Sequence, residues 1–78
     1  MKLNARQVDA AKPKEKAYKL ADGAGLYLEV VPSGSRYWRM KYRFNGKEKR
    51  MAFGVYPAVS LAQARALRDE AKKKLAEG

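Results

Sequence analysis

An α+β domain is expected from this chain: a three-stranded antiparallel β-sheet with a C-terminal α-helix packed on one face, preceded by a short N-terminal helix or turn and an irregular arm. Three signals agree on it. GLYLEVV and RYWRMKYRF alternate apolar and polar residues with the period of two of half-buried strands. Asn45-Gly46 follows the second run and is a strong hairpin signal, because a type I′ turn needs positive φ at both central positions. In SLAQARALRDEAKKKLAEG, Ser60 and Gln63 stand in capping-box spacing ahead of apolar residues that recur at helical spacing.

Along the chain, Asn4 and Gln7 form another capping-box pair ahead of Val8, Ala10 and Ala11, and Pro13 stops the run. Residues 5–11 are therefore expected to form a short helix or turn. AKPKEKAYKLADGAG, 11–25, suits an irregular connection or one short strand around Tyr18 to Leu20. Gly23 and Gly25 belong to a loop, since no phosphate-loop Lys and Ser/Thr follow them.

The sheet is placed at 25–54. A loop of Pro32, Ser33 and left-handed Gly34 pairs Leu28 with Trp38, Leu26 with Met40, Tyr27 with Arg39 and Glu29 with Tyr37. The Asn-Gly turn then sets Phe44 against Lys47, Tyr42 against Lys49, Met40 against Met51 and Trp38 against Phe53. On the opposite face it brings Arg43 beside Glu48, Lys41 beside Arg50 and Arg39 beside Ala52. Both turns agree on a single inside and a single outside. Pro57 in FGVYPAVS ends strand geometry, and a helix follows over 60–77 with Leu61, Ala64, Leu67, Ala71 and Leu75 toward the sheet. Lys72, Lys73 and Lys74 complement its dipole, and Gly78 is expected to open a linker.

Composition restricts the function. The chain has 78 residues, 46% hydrophobic and 33% charged, which fits one small folded domain over 1–78. Without Cys or His it lacks disulfides, the usual zinc ligands and a neutral-pH proton shuttle, so no metal, cofactor, small-molecule substrate or catalytic role is expected. A tyrosine nucleophile would have no acid/base partner. No apolar run approaches the ~20 residues of a membrane span, and the start has no signal-peptide core, which points to a cytoplasmic protein. Eighteen Lys and Arg against eight Asp and Glu leave +10, which points to a polyanion, with nucleic acid ahead of an anionic membrane surface.

Strand parity then explains why RYWRMKYRF is both apolar and cationic: alternate residues serve the two faces. The face opposite the helix gathers Arg39, Lys41, Arg43 and Arg50 with Tyr27, Tyr37 and small Ala52. A major groove about 12 Å wide admits such a ribbon; Arg can grip guanine there, while Lys and Tyr hold phosphates. Glu48 is expected to pair with Arg43 rather than read a cytosine. Lys47 and Lys49 fall on the helix side near the hairpin tip, where they either clear the core or reach flanking phosphates. The alternatives are an RNA-binding or ribosome-associated module, and a protein-interaction module with an acidic partner.

The run from AAKPKEKAYKLADGAGLYLEV through SRYWRMKYRFNGKEKRMAFGVYPAVSLAQARALRDEAKKKLAEG resembles the N-terminal arm-type DNA-binding domain of tyrosine recombinases (integrases) of phages and genomic islands. The motifs that carry the resemblance are AKP, DGAGLYL, YWRMKYRF, GVYP and SLAQAR. It implies a domain that holds repeated duplex DNA sites distant from the crossover, by a three-stranded sheet in the major groove. Catalysis would belong to a separate C-terminal domain. The matching positions are Arg39, Lys41, Arg43 and Arg50, supported by Tyr37. Other recombinase subunits and DNA-bending accessory proteins are implied as partners, in the bacterial cytoplasm at the nucleoid. This chain contains no catalytic Arg/Lys/Tyr set, so DNA cleavage is not expected of it.

Overall fold

Four stretches, not three, take up strand alternation in the computed structural model, which describes residues 2–77. The elements are α1 (Ala5–Ala10), β1 (Tyr18–Gly23), β2 (Leu26–Val30), β3 (Arg36–Phe44), β4 (Lys47–Val55) and α2 (Leu61–Glu77). The sheet is antiparallel throughout in the order β1-β2-β3-β4. The expectation of three strands is thus corrected by β1, which pairs Tyr18 with Val30, Lys19 with Glu29, Leu20 with Leu28 and Ala21 with Tyr27. In YKLA the pattern is present, with Tyr18 and Leu20 packed against the core and Lys19 and Ala21 exposed. The flanking Lys-rich segment masks it. DGAG is the tight β1–β2 turn, with φ of 102° at Gly23, 54° at Ala24 and 90° at Gly25. Gly25 is required for another reason as well: a Cβ there would lie 2.5 Å from the Lys41 carbonyl oxygen.

Both helix starts are as expected. Asn4 and Gln7 exchange reciprocal bonds at 2.8 and 3.0 Å, and Ser60 and Gln63 do so at 3.1 and 2.8 Å. Each box satisfies two backbone N–H groups that the first turn leaves unpaired. The hairpin turns also agree, with φ of 96° at Gly34, 54° at Asn45 and 76° at Gly46.

The β3–β4 register follows the Asn-Gly turn from Phe44/Lys47 back to Arg39/Ala52 and then slips. Trp38 pairs with Gly54, not Phe53, because Phe53 is the extra residue of a β-bulge. Gly54 makes the bulge possible: its φ is 131°, and a Cβ there would stand 2.7 Å from Val59 Cγ2.

Leu26, Leu28, Val30, Trp38 and Met40 are buried on one side of the sheet, where Leu61 and Ala64 of α2 and Val8 of α1 are buried with them. Trp38 is the largest of these; its indole N–H donates to the Val59 carbonyl at 2.8 Å, and its ring meets Tyr56 edge-on at 6.5 Å. The stripe expected on α2 departs at Leu67, which is 37% exposed, as is Phe44 at the hairpin tip. The β3–β4 hairpin extends past the packed part of the core, leaving a groove of about 390 Å³ between Phe44, Met51 and Phe53 and the helix residues Leu67, Ala71 and Leu75.

A buried carboxylate joins the arm to the helix. Asp22, 1% exposed, accepts from the Leu3 backbone N–H at 2.8 Å, from Arg65 at 2.8 and 3.0 Å, and from Arg68 at 3.2 Å. Arg65 also donates to the Leu3 carbonyl at 2.6 Å. On the other side of α1, Arg36 donates to the Val8 and Asp9 carbonyls at 2.9 and 3.1 Å, satisfying the helix C-terminus, with its guanidinium 4.7 Å from the Tyr56 ring centroid. The N-terminal arm therefore packs on its own sheet.

Burial pushes the Asp22 carboxyl up, but the Arg65 hydrogen bonds, the Leu3 N–H and the two Arg charges together outweigh it and hold the group below its ordinary value of 3.8. A carboxylate depressed by folding adds stability above its unfolded pKa and loses it as pH falls through the folded one. Urea unfolding should therefore show stability declining below about pH 4. Asp22→Asn should cost about 3 kcal/mol at pH 7, the low end for a broken buried pair because Arg65 is 34% exposed, and should flatten the acid limb.

Candidate nucleic-acid interface

The helix covers one face of the sheet, and the other carries the alternate residues that begin with the second position of each strand. Its side chains are Lys19 and Ala21 from β1, Tyr27 and Glu29 from β2, Tyr37, Arg39, Lys41 and Arg43 from β3, and Glu48, Arg50 and Ala52 from β4. In register they form the rows Lys19–Glu29–Tyr37–Val55 and Ala21–Tyr27–Arg39–Ala52, followed by the pairs Lys41–Arg50 and Arg43–Glu48. Lys41, Arg43 and Arg50 are exposed. With Lys19, Glu48 and Lys49, Lys41 and Arg50 line a shallow depression of about 290 Å³.

The cations of this face differ in how firmly they are held. Glu48 lies opposite Arg43 in the ladder, but its ion pair, at 3.7 Å, is with Lys41 on the diagonal, between side chains that are 48% and 58% exposed. So wet a contact adds little and leaves both groups free to move. Arg43 and Arg50 make no ion pair among the described residues. Arg39, by contrast, is held: its Nη1 donates to Glu29 Oε1 at 2.6 Å, and its guanidinium carbon lies 5.4 Å from the Tyr37 ring centroid.

Tyr27 faces outward yet is only 4% exposed. Small Ala21 is its ladder partner on one side and Arg39 on the other, and the Lys19 ammonium stands 5.1 Å from its ring centroid. Among the described residues its buried hydroxyl has no hydrogen-bond partner. Tyr37 is half-buried. Lys47 and Lys49 are exposed at the hairpin tip, and the Lys49 ammonium stands 5.7 Å from the Phe44 ring centroid.

Sequence reasoning placed Glu29 on this face beside Tyr37 but missed one member, Lys19, and one ion pair, Glu29 with Arg39. Lys19 needed β1 to be recognised, and its signal was the two-residue alternation of YKLA inside a lysine-rich segment. The Glu29–Arg39 pair was legible in the first hairpin's register, since Glu29 opposite Tyr37 and Tyr27 opposite Arg39 make Glu29 and Arg39 diagonal neighbours.

The architecture is a small antiparallel sheet backed by α2, with exposed cations gathered on its open face. Residues 3–78 match the profile of the Arm DNA-binding domain, and the chain belongs to that family. It is 70% identical to the integrase of Enterobacteria phage P4 over 80 aligned positions, covering 100% of this chain and 18% of that protein. It is 46% identical to the integrase of Shigella phage Sf6 and to the prophage integrase IntS of Escherichia coli (strain K12), covering 97% of this chain and 20% of each. The chain thus spans about a fifth of the length of these relatives and corresponds to their N-terminal, non-catalytic part. Among the described residues no helix is long and apolar enough to cross a membrane.

The orphaned hydroxyl of Tyr27 has a measurable consequence. A buried unsatisfied polar group costs about 1–3 kcal/mol, so Tyr27→Phe should raise stability by about 1 kcal/mol in chemical denaturation, with the sheet unchanged by circular dichroism.

Proposed function

We propose that this domain reads duplex DNA by laying the open face of its sheet into the major groove, as the N-terminal arm-site-binding domain of a site-specific tyrosine recombinase acting in integration and excision. The observation that carries the reading is the cluster of Lys41, Arg43 and Arg50 on the two longest strands, exposed on the face that the helix leaves bare. Mutual repulsion makes such a cluster unfavourable without a polyanion to neutralise it.

The work divides by side-chain chemistry. Arg39, Arg43 and Arg50 present forked donors suited to the O6 and N7 acceptors of guanine, each such pair worth about 1–3 kcal/mol of discrimination. Lys19 and Lys41 hold phosphates, and Lys47 and Lys49 reach the backbone flanking the groove from the hairpin tip. Tyr37 supports Arg39, and Tyr27 floors the face as a packed ring. Phosphate contacts supply most of the affinity and its salt dependence. The domain's role is positional: it gathers distant sites into one complex with other recombinase subunits and DNA-bending accessory proteins, in the cytoplasm at the nucleoid, while strand exchange belongs to the rest of the recombinase.

Selection from a random duplex library at near-physiological salt tests this reading. The wild-type domain should enrich a short motif. Arg43→Ala and Arg50→Ala should each weaken binding to it by about tenfold or more with melting temperature nearly unchanged. Trp38→Ala, which removes the centre of the core, should cost about 3–5 kcal/mol and unfold so small a domain. Preference for duplex RNA in direct competition, or equal binding by the Arg variants, would overturn the reading.

A further inference from the structure

One acidic side chain sits within the open face in a setting unlike that of Glu48. Glu29 is only 16% exposed and its carboxylate lies 2.6 Å from Arg39 Nη1, whereas Glu48 is 58% exposed and 3.7 Å from Lys41. A solvated rim acid costs a DNA-binding surface little. A largely desolvated acid between Lys19 and Tyr37, in the row next to Arg39, repels every phosphate that approaches.

The same pair restrains Arg39. Glu29 takes one edge of the guanidinium, and the Tyr37 ring lies 5.4 Å from its central carbon. A guanidinium has five N–H donors in a fixed plane, and among the described residues Arg39 uses only Nη1 on a side chain. The remaining donors stay available to a ligand while the fork is fixed, which is the arrangement that makes an Arg contact selective rather than merely adhesive.

We propose that Glu29 is a specificity-determining positioning residue. Its carboxylate fixes the Arg39 fork for bidentate recognition of a base and disfavours DNA that offers Arg39 only a phosphate. The inference rests on the reading of the sheet face as the DNA-binding surface. It also makes the two effects separable, because charge acts on all DNA and orientation acts only on the selected site.

The experiment compares the intact domain and its Glu29→Gln variant on two probes, the duplex enriched by selection and a scrambled duplex of the same length and composition, over a range of salt. Glu29→Gln should bind the scrambled duplex several-fold more tightly, with the slope of log K against log salt steeper by about one phosphate contact. Its preference for the selected duplex should fall by about tenfold or more. Glu29→Asp, which keeps the charge but shortens the reach, should lose the preference without gaining affinity for the scrambled duplex. In an Arg39→Ala background, Glu29→Gln should leave the remaining preference unchanged, an outcome that a merely structural role for Glu29 does not produce. If the wild type prefers its selected duplex but Glu29→Gln changes both affinities by the same factor, the proposal fails and the reading of the face stands. If the wild type shows no preference for any duplex, both fail.

Discussion

The carboxylate of Asp22 is the point at which three separate parts of the chain meet. It sits at the β1–β2 turn, accepts the Leu3 N–H from the N-terminus and takes two guanidinium groups, Arg65 and Arg68, from α2. A domain of this size buries too little apolar surface to fix a six-residue helix and a long connection by packing alone. The carboxylate supplies what packing does not, since a buried acid with four donors around it loses heavily if any partner leaves. Arg36 does similar work at the far end of α1. Three of the many cations in this basic chain, Arg36, Arg65 and Arg68, are therefore internal fasteners, and net charge alone overstates what is available to a ligand.

That distinction sharpens the account of the open face. β3 serves two environments at once: Trp38 and Met40 are buried while Lys41 and Arg43 are exposed. Helix packing on one side and cation display on the other are consequences of one register, and a slip of a single residue would exchange them. The register is protected where it matters. Gly34, Asn45 and Gly46 set the two hairpins, and the bulge at Phe53 and Gly54 lies beyond Arg39, so it leaves the Lys41–Arg50 and Arg43–Glu48 rows undisturbed.

Much of this was legible in the sequence, for physical reasons that also explain what was not. Turn chemistry and parity were local signals, and they specified the β2–β3 pairing completely and the β3–β4 pairing as far as Ala52. The capping boxes at Asn4 and Ser60 were equally local. β1 was obscured because its four alternating residues stand beside a lysine-rich segment that looks solvated. The bulge was hidden because only the approach of Val59 to Gly54, five residues on, makes a side chain there impossible. Nothing local marks Asp22, because its partners Arg65 and Arg68 are more than forty residues away. On the site, the cations on the outer face followed from parity, but the state of each did not. That Arg39 is braced, that Arg43 and Arg50 are not, and that Tyr27 is covered depend on side-chain packing across three strands.

The central claim is that one face of the sheet, and no other basic surface, receives DNA. Lys12, Lys14 and Lys16 in the connection and Lys72, Lys73 and Lys74 on α2 are exposed and offer alternative routes for a polyanion. The most direct test is a nuclear magnetic resonance titration of the labelled domain with its selected duplex, following backbone amides together with Arg and Lys side-chain signals. The account predicts that the largest shifts map to Lys19, Arg39, Lys41, Arg43 and Arg50, with the Lys72 to Lys74 segment nearly unaffected. Large shifts concentrated on α2 or on the lysine-rich connection, with the open face silent, would contradict it.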